Sequence, residues 1–418
     1  MKWLLVTVGG SCQPIVRSIQ TLQPERTVFV CSWQSMSQII GDGKVCSSSG
    51  GDPDLPSIPA QLDLTADRYE LTDPVEPDDP SNCYQVAMRA IDDIRRRDTD
   101  ARLFVAYTGG SKSMSAMLAA AALDAGNAEL CLVTGFRPDL KVVRDGTEAL
   151  TRVRVEAVVL HRVRAECDSL LAGYHYRAAE AVLTRYLVHS PACPDARKWV
   201  AMCRGFDAWD RFDHRAAMDL LQATGCCTEH LGFLGRVTKS DDKAWKSPAG
   251  YLLALDLLAN AERRAAQGRY DDASGRHYRA AEMVAQTFLW GRRQLDTARV
   301  PADRLPADMQ RRLRPDGDNT VKLGVSDAWQ LAASLDSDLK AWFKEWERRL
   351  KDALKLRNYS LFAHGTTPVT QQCYRKDVEE GVAAFARSAL DHLKSRRLAG
   401  DLAPPPPFPT SLPQADGP

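Results

Sequence analysis

The first 160 or so residues alternate short apolar runs with amphipathic stretches. Runs rich in Val, Ile, Leu and Phe predict buried strands, because a parallel sheet covered on both faces has no polar face. The predicted strands are residues 1–8, 27–32, 102–107, 129–134 and 152–160. The predicted helices between them are residues 12–22, 82–97 and 113–126. Strands that alternate with helices in this way indicate a parallel sheet with crossover helices.

Downstream of about residue 165 the pattern is almost entirely helical. Three segments beginning at Gly173, Trp209 and Gly268 share an aromatic residue, which we expect at a helix start, followed one turn later by alanines. They predict antiparallel helix pairs, although their spacing is too irregular for a repeat array. Residues 336–356 have apolar side chains at three- and four-residue steps, which predicts a helix whose apolar stripe is core or dimer interface. The fold class is therefore predicted to be α/β plus all-α.

A candidate anion site follows the strand at residues 102–107. Residues 108–114 read Thr-Gly-Gly-Ser-Lys-Ser-Met, and an alanine-rich helix comes next. Glycines let the backbone turn sharply and bring N–H groups against an anion, and a helix N-terminus adds partial positive charge. The loop is not an ATPase P-loop, because Ser111 and Ala106 stand where that motif requires glycine. On this loop alone, a strand-to-helix turn without a ligand remains the alternative.

The same device occurs at the N-terminus, where the strand at residues 1–8 runs into Gly9-Gly10-Ser11. In an open α/β sheet, ligands bind outside the carboxyl ends of strands where the strand order reverses. Two such loops would therefore converge on one ligand. A nucleotide-type ligand is the first hypothesis.

A second chemical pattern follows the amphipathic helix, where residues 357–365 read Arg-Asn-Tyr-Ser-Leu-Phe-Ala-His-Gly. If the helix continues, seven residues turn about 700°, so Arg357 and His364 share a face about 10 Å apart along the axis. Histidine suits proton transfer near neutral pH, and the arginine fork suits a phosphate. Two copies across a two-fold axis would form a metal-free site for phosphodiester cleavage, with Asn358 in support. One Arg and one His at this spacing also arise by chance, and Gly365 could simply close a helix.

Composition limits the remaining function classes. The 418-residue chain has a net charge of +1, which gives no global nucleic-acid or membrane signature. Its 11 cysteines are scattered without a C-x-x-C pair, so reduced and mostly buried thiols are expected. A metal site at Cys226, Cys227 and His230 matches no zinc spacing. No apolar run of about 18 residues occurs, so we expect a cytoplasmic protein without membrane partners.

The two loops and the Arg–His pattern together resemble a known family. Residues 1–160 resemble a CARF domain, the CRISPR-associated Rossmann-like fold, and about 265–400 resemble a HEPN helical bundle. This order is similar to that of the ancillary ribonucleases of type III CRISPR systems. The resemblance implies four segments: a CARF-like ligand-sensing domain at 1–162, a helical connecting region at 163–264, a HEPN-like ribonuclease domain at 265–400, and a Pro-rich tail at 401–418. The tail is expected to be disordered or extended.

The resemblance also implies roles for matching residues. The catalytic residues would be Arg357, Asn358 and His364, acting on single-stranded RNA by 2′-hydroxyl attack at a composite homodimer site. The ligand would be a cyclic oligoadenylate activator, tetra-adenylate in preference to hexa-adenylate, with no cofactor or metal. In some relatives the bound ring is itself cleaved, which Thr108 or Ser11 would perform here. The residues implied in activator binding are Gly9, Gly10, Ser11, Thr108, Gly109, Gly110, Ser111, Lys112 and Met114.

Two other classes stay open at this point. A ligand-sensing transcription regulator would use a basic helical face, and two arginine clusters are candidates. A CRISPR-associated scaffold with an inactive HEPN motif is the other. The clusters are Arg263, Arg264, Arg269, Arg276 and Arg279, and then Arg311, Arg312 and Arg314.

Overall fold

The computed structural model divides the chain into two compact units, Met1–Arg162 and Val163–Pro418. The backbone is described for residues 1–47, 52–126, 128–135, 147, 149–153, 155–225, 227–239, 244–359, 366–399 and 402–414. Side chains are described for the same residues except 355–359.

A six-stranded sheet, in the order β3-β2-β1-β4-β5-β6, organises the first unit. Its first five strands are parallel, and β6 pairs with β5 in the antiparallel direction. Three of the six strands are buried at every position except the first, as a sheet covered on both faces requires. The strands are β1 (Lys2–Thr7), β2 (Arg26–Val30), β3 (Tyr69–Leu71), β4 (Arg102–Ala106), β5 (Ala128–Thr134) and β6 (Ala149–Arg152).

Helices cover both faces of this sheet. Alternate residues of β1 point to opposite sides, so Trp3 and Leu5 belong to one hydrophobic core and Leu4 and Val6 to the other. The predicted α/β architecture with crossover helices is confirmed. The helices of this unit are α1 (Gln13–Leu22), α2 (Ser37–Ile40), α3 (Ile58–Gln61), α4 (Pro80–Arg97) and α5 (Lys112–Ala125), and α6 (Glu156–Ala172) begins in it and continues into the second unit.

The strand predicted at residues 152–160 is wrong over most of its length. Strand β6 ends at Arg152 and helix α6 begins at Glu156. The run of valines suggested a strand, but Val153 and Val155 pack on the core before the helix begins, and Val158 is 47% exposed on it. Packing of the connection, not β-propensity, decides the structure here.

The second unit is built of helices. The helices are α7 (Tyr176–His189), α8 (Pro194–Asp210), α9 (His214–Gln222), α10 (Thr228–Val237), α11 (Ala249–Ala266), α12 (Tyr270–Arg293), α13 (Ala307–Arg312), α14 (Val325–Leu335), α15 (Ser337–Tyr359), α16 (Gln371–Cys373) and α17 (Ala384–Ser395). A π-helix at Tyr374–Ala383 joins the last two, 3₁₀ turns lie at Ala244–Lys246 and Ala302–Arg304, and β7 (Val300–Pro301) pairs with β8 (Thr320–Val321). Helix α8 packs against α9 and α11 against α12, as two of the predicted helix pairs require.

Two of the three aromatic residues expected at helix starts have another role. Tyr174 and Phe212 adopt left-handed φ angles of 58° and 69° in the turns before α7 and α9. Only Tyr270 begins its helix. The shared sequence pattern therefore marks the tight turns between paired helices rather than the helix starts.

A buried ionic network joins α8 to α11. Asp210 Oδ1 accepts from Arg263 Nε at 2.9 Å and from Asn260 Nδ2 at 3.0 Å, and Arg264 pairs with the other carboxylate oxygen. Asp210 and Arg263 are each less than 10% exposed. A buried carboxylate is tolerated only when its oxygens are paired in this way.

The expectation of disorder does not hold for residues 402–414 of the tail. This segment is extended, without helix or strand, and lies against the helices of the second unit. Phe408 and Leu412 are only 5% and 2% exposed. Composition alone missed this because the order of the segment depends on three buried apolar side chains, those of Leu402, Phe408 and Leu412.

The cysteines also depart in part from expectation. Cys12 and Cys46 form a disulfide with their Cα atoms 5.8 Å apart, where reduced thiols were expected. Their separation of 34 residues along the chain hid this pairing from the sequence. Cys31 and Cys131 are buried free thiols, and burial raises the pKa of each to about 11. Among the described helices, none is long and apolar enough to cross a membrane.

The Asp210 network predicts a strong stability effect. Asp210→Ala leaves Arg263 and Arg264 buried without their carboxylate, so the free energy of unfolding of the helical unit should fall by about 3–5 kcal/mol. Asp207→Ala on the same helix is the matched control, since it removes only a partly exposed pair with Arg211 and should cost about 1 kcal/mol or less. Urea denaturation of both variants measures the difference, and equal losses would contradict the assigned role of the network.

Candidate ligand site and candidate active site

The two glycine loops meet at the point where the strand order of the sheet reverses. Strands β1 and β4 are neighbours, and the chain proceeds from β1 to β2 on one side and from β4 to β5 on the other. The loops at Gly9 and Gly109 follow these two strands directly. This arrangement creates a crevice at the carboxyl ends of parallel strands, where α/β sheets bind ligands.

The loops are in direct contact. The Thr7 hydroxyl donates to the Gly109 carbonyl at 2.6 Å, and the Ser115 hydroxyl donates to the same oxygen at 2.7 Å. A Cβ atom added to Gly9 would lie 2.2 Å from Gly110 N, and one added to Gly109 would lie 2.4 Å from Thr7 O. The glycines therefore permit a backbone approach that no other residue allows. The predicted convergence of the two loops is observed.

Three residues that were predicted to bind the ligand hold the loop together. The Ser111 hydroxyl caps α5 by accepting from Met114 N at 3.2 Å, and it donates to Pro77 O. The Thr108 hydroxyl accepts from Val133 N at 2.8 Å. The Met114 side chain is buried beneath Gly110, whose φ of 86° needs glycine. These contacts give the three residues a part in building the site.

The remaining predicted residues line its open side. Gly10 and Lys112 are exposed, and Ser11 is half-buried. No hydrogen bond or ion pair of the Lys112 side chain occurs within the described residues. Lys112 is also the first residue of the 14-residue helix α5, whose N-terminal N–H groups favour an anion. The arrangement offers a cation, a helix end and exposed loop backbone to a phosphate-bearing ligand.

The Arg–His pattern begins at the end of the long helix α15. This helix is fixed by an aromatic cluster: Trp329 and Trp342 lie 4.9 and 5.3 Å from the ring of Phe385. The backbone at positions 357 and 358 forms part of the last turn of α15. His364 lies outside the described residues, so its position relative to Arg357 stays a prediction.

Comparison with known proteins agrees with both parts of the chain. A family model described as the Csm6 HEPN domain matches residues 242–387. The solved structure of Enterococcus italicus Csm6 bound to cyclic hexa-2'-fluoro-hexa-dAMP is 13% identical, with a TM-score of 0.65 over 95% of this chain and 95% of that chain. A search of curated proteins found no match.

The HEPN family match thus covers the C-terminal helical part, and the solved structure shows that the fold of the whole chain is similar to that of a Csm6 protein. The predicted fold is thus confirmed, and the HEPN resemblance agrees with the family model over residues 242–387. The HEPN match begins at residue 242, before helix α11, and so includes residues that the sequence assigned to the connecting region.

Only two histidines, His277 and His364, occur within the HEPN-matched residues. The side chain of His277 is fully buried, and its Nε2 lies 2.9 Å from the Tyr374 hydroxyl. Burial lowers the pKa of His277 to about 3, so it stays neutral and inaccessible to a substrate. His277 therefore cannot serve as a proton-transfer group.

Two further residues at the candidate ligand edge of the sheet were not predicted from the sequence. Thr7 locks the loop pair through its hydroxyl, yet in the sequence it is one more residue of an apolar strand. Trp33 follows β2 near the same edge of the sheet and is 69% exposed. Its position directly after the strand predicted at residues 27–32 was the available signal, because ligand loops lie at the carboxyl ends of such strands.

The described side chains contain no group of three or more His, Cys, Asp and Glu residues placed to hold a metal ion. Cys226 lies outside the described residues. His230 donates to the Pro407 carbonyl at 3.0 Å.

The contacts of the glycines predict that alanine substitutions at Gly109 and Gly10 differ in their effect on stability. Gly109→Ala forces its Cβ against Thr7 O and should lower the unfolding free energy of the CARF unit by about 1–3 kcal/mol. Gly10→Ala is the matched control, because a Cβ there meets no atom within 4 Å, and it should change stability by less than about 0.5 kcal/mol. Thermal and urea denaturation compare the variants; a Gly109→Ala protein as stable as Gly10→Ala would show that the loops are not packed as described.

Proposed function

We propose that the protein is a metal-independent endoribonuclease that cleaves single-stranded RNA when a cyclic oligoadenylate binds its CARF unit. The observation that carries this proposal is the direct contact of the two glycine loops at the switch point of a sheet whose chain continues into a HEPN-matched region. The similar Csm6 structure holds a cyclic hexa-adenylate analogue, which supports this class of ligand.

The activator would bind across the loop pair. Lys112 and the N-terminus of α5 would meet a phosphate, and Gly9, Gly10 and Ser11 would supply backbone and hydroxyl donors. Trp33 is an exposed aromatic on which an adenine can stack. A homodimer would place two loop pairs around one ring, with the ring on the two-fold axis. Tetra-adenylate in preference to hexa-adenylate stays our prediction for ring size.

The proposed reaction uses the RNA's own 2′-hydroxyl as nucleophile. His364 would take the proton from this hydroxyl while the 2′-oxygen bonds to phosphorus. The bond from phosphorus to the 5′-oxygen then breaks, and the second protomer's copy of the histidine protonates that oxygen. Arg357 would stabilise the charge on the pentavalent phosphate, with Asn358 orienting it. The products are a 2′,3′-cyclic phosphate and a 5′-hydroxyl, and the balance needs no metal ion.

Activation would be allosteric, because the activator loops and the Arg–His pattern are some 250 residues apart in sequence. A ligand shifts such an equilibrium only by its differential affinity for the two arrangements. A shift of about 5.5 kcal/mol converts a 1:99 mixture into a 99:1 mixture. We also propose that Ser11 or Thr108 assists cleavage of the bound ring; the Thr108 hydroxyl accepts from Val133 N, and among the described residues its proton is not donated to a protein acceptor.

The first arginine cluster does not favour the transcription-regulator alternative. Arg263 and Arg264 are buried against Asp210, and Arg276 pairs with Asp272 on its own helix. Arg279 pairs with Glu282. These side chains stabilise the bundle instead of forming a free basic face for DNA.

A cleavage assay in EDTA, with and without cyclic tetra- and hexa-adenylate, tests the proposal. His364→Ala should lower the rate of RNA cleavage by about 10²- to 10⁴-fold, because it removes the proton-transfer group, while activator affinity stays unchanged. The exposed His161→Ala is the matched control and should cleave normally. A fully active His364→Ala protein would contradict the enzyme assignment.

Lys112→Ala should have the opposite effect: it should change activator affinity and not the cleavage rate. Loss of a charge-assisted contact should weaken activator binding by about 10- to 100-fold and leave cleavage at saturating activator intact. Arg96→Ala, at the C-terminal end of α4 and away from the ligand edge, is the control. Unchanged activator affinity in Lys112→Ala would remove this loop from the activator site.

A further inference from the structure

The C-terminal segment at residues 402–414 lies in a groove formed by α6, α7, α8, α10 and α11. Its burial is confined to a few positions: Leu402, Phe408 and Leu412 are buried, whereas Thr410 and Ser411, between the last two, and Pro413 are exposed. Two anchors separated by exposed residues are typical of a bound peptide, whose side chains enter pockets one by one.

The Phe408 pocket is aromatic on its walls and cationic on one face. The ring centroid of Phe408 lies 5.8 Å from Tyr176, 4.9 Å from Phe206 and 5.0 Å from Trp209. The Arg263 guanidinium lies 3.6 Å from the ring centroid. A desolvated guanidinium over an aromatic face is attracted by the ring quadrupole. The pocket therefore selects an aromatic side chain over an aliphatic one.

Side chains of the groove also form hydrogen bonds with the backbone of the segment. The Tyr176 hydroxyl donates to Pro409 O at 2.6 Å, and Arg164 donates to Leu412 O at 2.8 Å. The Leu412 N–H donates to Asp168 Oδ1 at 2.6 Å. Prolines lack an N–H, so a groove that offers donors to their carbonyls suits a proline-rich chain, whose extended form is already favoured.

We propose that this groove is a peptide-docking site for extended Pro-Phe-Pro-x-x-Leu segments, and that the chain's own residues 402–414 occupy it as a tethered ligand. The groove combines α6, α7, α8 and α10 with α11, which belongs to the HEPN-matched residues. Docking therefore joins the connecting helices to the first helix of that region through Arg263. Nothing in this inference depends on the proposed catalytic activity.

The test uses the full chain with its own anchors removed. In Phe408→Ala/Leu412→Ala the tail no longer fills the groove, so a fluorescein-labelled peptide with the sequence of residues 402–414 should bind saturably, with a Kd of about 0.1 mM or below. A tethered segment has an effective concentration of about 1 mM, so wild-type protein should bind this peptide at least about tenfold more weakly. Fluorescence anisotropy measures both affinities.

Two controls define specificity. Thr410→Ala/Ser411→Ala changes only exposed tail positions, so this protein should resemble wild type. A peptide with both anchors replaced by alanine should bind neither protein. A folded anchor variant that takes up no peptide, or that binds the alanine peptide equally well, overturns the proposal.

Hydrogen exchange on the wild-type protein covers the case in which the anchor variant fails to fold. The Leu412 amide should be protected, yet should exchange faster than amides of α8 because docking opens locally. Exchange of Leu412 at the rate of global unfolding would make the segment part of the core, and immediate exchange would show that it is not docked. Either result contradicts a reversible docking site.

Discussion

The contact between the turn after β1 and the turn after β4 is the constraint on which the CARF unit depends. Thr7 reaches across to the Gly109 carbonyl, and the backbones at Gly9 and Gly110 approach so closely that a Cβ cannot fit. This approach is possible because β1 and β4 are adjacent and their crossovers leave in opposite directions. The same geometry leaves Lys112, Gly10 and the end of α5 open on one side. The contact that stabilises the fold thus also creates the crevice.

In the helical unit, the main constraint is the burial of charged side chains. Asp210 is surrounded by Arg263, Arg264 and Asn260, and this network fixes α8 against α11. Arg263 then presents its guanidinium to Phe408 of the C-terminal segment. Arg263 and Arg264, which belong to a basic stretch that could be taken for a nucleic-acid surface, are therefore internal, and Arg263 also contacts the ring of Phe408.

The spacing of apolar residues was sufficient to predict those strands and helices in which the apolar pattern is strong. The strands at β1, β4 and β5 and the helices α1, α4, α5 and α15 lie within a few residues of their predicted positions. Convergence of the loops followed from a topological rule, because both follow parallel strands. The ligand-binding roles of Ser111, Thr108 and Met114 stay predictions: the loop motif shows which residues are present, and packing adds that these three also hold the loop.

Contacts between residues that lie far apart along the chain could not be predicted from the sequence. The Cys12–Cys46 disulfide, the pocket for Phe408 and the bond from Thr7 to Gly109 each join residues more than 30 positions apart. The valines at 153–159 show the converse, since local β-propensity there was overridden by the position of the chain between sheet and helix.

Coupling between the loop pair and the RNA site is best measured through its reciprocity. If the activator favours the RNA-competent arrangement, a non-cleavable RNA with a 2′-deoxy linkage must tighten activator binding by the same factor by which activator tightens RNA binding. Titration calorimetry of cyclic oligoadenylate with and without this RNA should give an affinity ratio on the order of 5 to 150. An activator affinity that does not change when RNA is bound would contradict the account.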